Sequence, residues 1–128
     1  TYTPVWDQGG GTQPAIVDGT ITGVSSRTGD ICQFSILLTA GASTTFGNAA
    51  NAYRFSLPHN VYSQGTQCVT AYVFDASTNI TTVHQATVNA SASTLTIADM
   101  VGGTVRSNSP ITFAAGDKIS ISGSYLCD

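Results

Sequence analysis

At 128 residues and 13.2 kDa, with 9% charged residues and a formal net charge of -3, the chain fits one domain, large enough to bury roughly two-thirds of its unfolded surface. Its four basic residues, Arg27, Arg54, Arg106 and Lys118, are scattered and build no basic stripe, so nucleic acid is set aside as a partner. No apolar run approaches the roughly 20 residues of a spanning helix, and the opening "TYTPVWDQGGG" has neither a basic nor an apolar leader region, so membrane insertion is not expected and the chain reads as soluble.

The first sixteen residues, "TYTPVWDQGGGTQPAI", hold the only Trp, two of the four prolines and a Gly triplet. They read as an extended arm ending in a loop, with residues 17–128 as a single β domain. An arm carrying Tyr2 and Trp6 needs a surface to lie on, either its own barrel end or a neighbouring chain. The Gly triplet, with no following Lys and helix, is a hinge rather than a phosphate cradle. Because the chain starts with Thr, it is read as a processed product or a piece of something longer.

Beyond the arm, Thr, Val, Ile and aromatic residues alternate between Gly and Asn punctuation, and no stretch repeats apolar residues at helical spacing. The chain is all-β. A first strand is expected near 17–24. In "DICQFSILLTA", Cys32, Phe34, Ile36 and Leu38 fall on one face and belong to a core, with Gln33 and Ser35 opposite. Further strands are expected near 52–57, 67–75, 80–89, 93–98 and 103–106, joined by Asp-Gly, Gly-Asn, Ser-Gln-Gly and Gly-Gly turns. "DKISISGSYLC" closes the domain, with Ile119, Ile121, Gly123 and Tyr125 inward and Ser120, Ser122 and Ser124 outward. Short strands at this spacing indicate an antiparallel β-sandwich or jelly roll. "QCVTAYVFDA" differs in being apolar on both faces, so it is expected to be covered twice, by a second sheet or by another subunit.

Reactive chemistry is sparse. His59 follows a proline and His84 sits in a Thr-rich strand, and neither has a second ligand at metal spacing. All seven acids are Asp, and Asp18, Asp30 and Asp117 stand beside Gly, at loop or strand-edge positions where the side chain caps backbone groups. No nucleophile elbow or calcium loop occurs. The sequons at 79 and 89 are discounted as chance products of a Ser/Thr-rich chain. Catalytic, metal and cofactor sites are therefore expected to be none. Cys32 and Cys68 read as buried thiols, with a bridge between them left open, and Cys127 as the exposed one. In "NAYRFSLPHN", Tyr53, Phe55 and Leu57 face the core while Arg54 faces outward, free to support a carboxylate, a neighbouring subunit or a sugar.

"GTQPAIVDGTITGVSSRTGDICQFSILLTAGASTTFGNAANAYRFSLP", followed near the end by "SPITFAAGDKISISGSYL", resembles the β-structured domains of tailed-bacteriophage virion proteins: minor structural, fibre and capsid-decoration proteins. The shared features are the Gly-Thr-x-Thr-Gly opening, the Ser-Thr-Thr-Phe-Gly loop, the Phe-Ser-Leu-Pro strand end and the Ala-Gly-Asp-x-Ile-Ser-x-Ser-Gly-x-Tyr closing strand. The resemblance implies a non-enzymatic homotrimer at the virion surface, assembled in the host cytoplasm and bound to major capsid or other virion proteins. Tyr2, Trp6 and Arg54 are the expected subunit or capsid contacts. A glycan-binding module is the alternative, with Tyr53, Tyr62 or Tyr72 stacking on sugar rings of a host surface. A small hydrolase dependent on His59 or His84 is the least favoured reading.

Overall fold

A computed structural model describes residues 1–63, 65–90, 93–98 and 105–128. The chain is all-β. Ten strands are described: β1 (Trp6–Gln8), β2 (Pro14–Ala15), β3 (Thr20–Thr28), β4 (Ile31–Thr39), β5 (Thr45–Phe46), β6 (Tyr53–Ser56), β7 (Gln67–Asp75), β8 (Ile80–Asn89), β9 (Thr94–Ala98) and β10 (Lys118–Leu126). Eight of them form one curled antiparallel sheet in the order β1-β6-β9-β8-β7-β10-β4-β3, and β2 pairs with β5 in a small ribbon. The result is a sandwich-like domain around a single core.

Alternation decides which face each strand buries. On β4, Cys32, Phe34, Ile36 and Leu38 are at most 5% exposed, while Ile31, Gln33, Ser35 and Leu37 face outward. The last strand, β10, inserts between β4 and β7, so Ile119 and Ile121 enter the middle of the core. Gly123 is needed there, because a Cβ would stand 2.7 Å from Val69 Cγ1. The Gly29–Asp30 turn, with Gly29 at φ 61°, joins β3 to β4 in a two-residue hairpin.

β7 and β8 fall on the expected residues, whereas β3 is displaced: it was expected at 17–24 and runs from Thr20 to Thr28. The polar "SSRT" segment looks like a loop in isolation but is paired residue for residue with apolar β4. The strand expected at 103–106 falls partly outside the described residues; within them, Val105 lies between strands, donating to Ile97 O and accepting from Tyr53 N.

The arm lies on its own domain. Tyr2 bridges to Gly23 of β3, with its N–H 2.8 Å from Gly23 O and its own carbonyl accepting Gly23 N–H at 2.9 Å. Further on, β1 pairs with β6 at the opposite end of the sheet order. The arm thus ties together the two edges of the curled sheet. Trp6 is 8% exposed and meets Tyr53 and Phe46 edge-on, at 5.1 and 6.3 Å between ring centroids. Gln8 is also buried; its amide donates to Asn48 O (2.8 Å) and Asn51 O (2.6 Å) and accepts Asn48 N–H (2.9 Å), which stitches the arm to the 48–51 loop.

Polar groups elsewhere serve the same structural purpose. Asp117, 2% exposed, accepts N–H bonds from Ala76 (2.9 Å) and Ala114 (2.8 Å), and Asp18 accepts one from Ser43. All three cysteines are free thiols; Cys32 is buried as expected, whereas Cys127 is buried and Cys68 exposed, the reverse of the expectation for those two. Register gives the reason. Cys68 is outward because Val69, Ala71 and Val73 are the inward set of β7, and Cys127 is covered by Val61 on one side and Asp30 on the other. Cys32 faces inward, so a Cys32–Cys68 bridge does not match this arrangement.

Candidate interaction surface

The outer face of the sheet is where β7 spends its second apolar set. Tyr72 stands opposite Ser120 of β10 on one side and Val83 of β8 on the other, and Ser120 in turn stands opposite Leu37 of β4. Tyr72, Leu37 and Val83 are 41%, 43% and 49% exposed. The small Ser120 between larger neighbours makes the floor of an open depression of about 390 Å³, lined also by Phe74, Thr81 and Lys118. Lys118 Nζ lies 5.9 Å from the centre of the Phe74 ring, within cation–π range.

Charge is nearly missing from this face. Over the outward positions of β3, β4, β10, β7 and β8, Lys118 is the one charged residue, and Ser, Thr, Gln, Asn and apolar residues fill the rest. Covering such a face requires little ion desolvation. Each square ångström of apolar surface removed from water contributes about 25 cal/mol.

A second apolar group lies toward the other end of β10, where Leu126 and Ile31 form a register pair, 47% and 49% exposed. Tyr62 donates its backbone N–H to Leu126 O at 3.0 Å. Leu126 lies six residue steps along β10 from Ser120, about 20 Å at the strand rise of about 3.3 Å. Tyr62 and Tyr72 therefore occupy separate places and cannot stack on one sugar ring.

The remaining expected contacts are turned inward or paired. Tyr53 is fully buried, its hydroxyl donating to Phe46 O at 2.8 Å, so it presents no ring to a glycan. Burial against Tyr53 and Phe46 likewise takes Trp6 off the surface. Half-buried Tyr2 lies against Gly23 in the seam. Arg54 donates from Nε to Asp7 Oδ1 at 2.9 Å, an ion pair within its own chain that favours the charged guanidinium. The cause is pairing of β1 with β6, which sets Asp7 opposite Arg54. Sequence reading had no local signal for this partner, 47 residues away.

The histidines stay apart. His84 is buried, with Nε2 2.7 Å from Thr82 Oγ1, and the His59 backbone exchanges hydrogen bonds with the Tyr125 hydroxyl at 3.1 and 2.9 Å. Among the described residues no three His, Cys or Asp side chains gather as a metal-binding group. What the surface offers chemically is contact: aromatic and aliphatic area, hydroxyls and one cation. No family model, curated protein or solved structure matches the chain. Fold and surface together define an all-β domain whose low-charge, hydroxyl-rich outer face carries an apolar cluster at Leu37, Tyr72 and Val83.

Proposed function

We propose that this chain is a non-enzymatic structural protein of a tailed-bacteriophage virion, of the capsid-decoration or fibre kind, acting as a homotrimer that binds major capsid or other virion proteins at the particle surface. The observation that carries this reading is the exposed apolar cluster of Tyr72, Leu37 and Val83 on the low-charge outer face. A two-layer domain normally turns a polar face to water. This one turns aromatic and aliphatic side chains outward from a central strand, which supports burial against further copies. The low charge of the face and the motif resemblance point the same way.

The test is reconstitution. Particles lacking the protein should take up the purified chain saturably, and a Tyr72→Glu variant with unchanged circular dichroism should not add; failure of the wild-type chain both to oligomerise and to bind would end the proposal. A second reading, a glycan- or receptor-binding module of a tail fibre, is favoured by Tyr72, Phe74 and Lys118 lining one depression. Glycan-array binding lost on Tyr72→Ala would promote it, and silence across the array would demote it.

A further inference from the structure

β3 ends the sheet order, and its two sides differ. Toward β4 it is paired along all nine residues from Thr20 to Thr28. On its other side, among the described residues, the backbone bonds come from Tyr2, at Gly23, with Thr1 and Thr3 lying alongside residues 21–24. Because the N–H and C=O of Gly23 point away from β4, those of Ser25 and Arg27 do so too, by the two-residue alternation of a strand. Among the described residues no backbone bond reaches them. The edge is solvent-exposed at Val24, Ser26, Arg27 and Thr28. Beside it lies a shallow depression of about 190 Å³, lined by Val24, Ser25, Ser26, Gln33, Phe34 and Ser35.

A row of outward N–H and C=O groups is matched by one thing, an extended backbone. Arg27 decides whose. A second copy pairing antiparallel about Ser26 would set the two Arg27 side chains diagonally about 7–8 Å apart, and a register centred on Arg27 would set them directly opposite, which destabilises a strand pair. Such a charge keeps like edges apart. It also selects. Arg27 Nε donates to Gly29 O at 2.8 Å, and no carboxylate pairs with the guanidinium among the described residues.

We propose that the β3 edge at Val24–Thr28 accepts an extended segment of a different protein chain as an added antiparallel strand, with a carboxylate opposite Arg27 and an aliphatic side chain over the Ser26–Ser35 depression. That the donor is another virion protein rests on the function proposed above; acceptance of the strand does not.

The probe is an acetylated, amidated hexapeptide, Thr-Val-Asp-Val-Thr-Val, compared with its Lys-for-Asp counterpart, titrated to millimolar concentration into the ¹⁵N-labelled chain. Saturable amide shifts should be confined to β3 and its neighbours, with the Asp peptide about 5-fold tighter, the size expected of one exposed ion pair. Arg27→Asp should reverse the preference, and Ser25→Pro, which removes an edge N–H, should abolish the shifts. Arg27 is exposed, so its variant keeps the test valid if Ser25→Pro fails to fold. Absence of saturable shifts, shifts elsewhere, or equal binding of the two peptides would overturn the proposal. Native mass is read on the same samples: a monomer that still binds the Asp peptide refutes the trimer and leaves the edge proposal standing.

Discussion

Replacing Gly23 with Ala should open the seam between the arm and β3. An added Cβ would stand 2.7 Å from Tyr2 Cδ1 and 2.8 Å from Cζ, and nearer still to Cε1, so the ring must move by about an ångström or leave. If it leaves, two backbone hydrogen bonds go with it, about 1 kcal/mol each. The half-buried ring adds about 1–2 kcal/mol of lost burial. Alanine returns about 0.5–1 kcal/mol over glycine in a strand, so the net loss is about 2–3 kcal/mol. Chemical denaturation of the wild type, Gly23→Ala, Tyr2→Ala and the double variant measures it. With Tyr2 already truncated, Gly23→Ala should be neutral or stabilising, giving a coupling of about 2 kcal/mol or more. Single losses that add to within about 0.5 kcal/mol would refute the argument that Tyr2 closes the seam by lying on Gly23.

Asp117→Ala should cost about 1–3 kcal/mol in the same assay, because it removes the buried carboxylate that accepts the Ala76 and Ala114 N–H bonds. Arg54→Ala should cost less than about 1 kcal/mol, since its pair with Asp7 is more than a third exposed on both sides. Burial raises the ionisation of Tyr2, Tyr53 and Tyr125 above the ordinary tyrosine range. Above about pH 10 the unfolded chain loses these protons while the folded chain keeps them, so stability should fall as pH rises. Denaturation midpoints recorded with phenolate absorbance should drop together with the appearance of the buried phenolates; full ionisation of all three with the fold intact would contradict this.

The sequence made the strands legible wherever one face is apolar and the other polar. Cys32, Phe34, Ile36 and Leu38, or Ile119, Ile121 and Tyr125, announce their inward face by alternation alone, and all are buried. β7 was legible as two-faced, and its outer set, Tyr72 and Phe74, is the candidate surface. The arm was half legible. Its aromatic content signalled docking, but a three-residue strand whose partner is β6 carries no local mark of that partner. The same distance hid the Asp7–Arg54 pair and the Gln8–Asn48–Asn51 network. Alternation also misled at Cys68, where both parities of β7 are apolar and only the register with β8 and β10 decides which faces in.

The proposed homotrimer requires the exposed cluster of Leu37, Tyr72 and Val83 to be buried between copies of this chain. Its most direct test is the native mass of the purified protein at low micromolar concentration, by native mass spectrometry with light scattering alongside. A stable species at three times 13.2 kDa that reverts to a folded monomer on Tyr72→Glu is predicted. A wild-type monomer at that concentration, or a trimer indifferent to both Tyr72→Glu and Leu37→Glu, would contradict it.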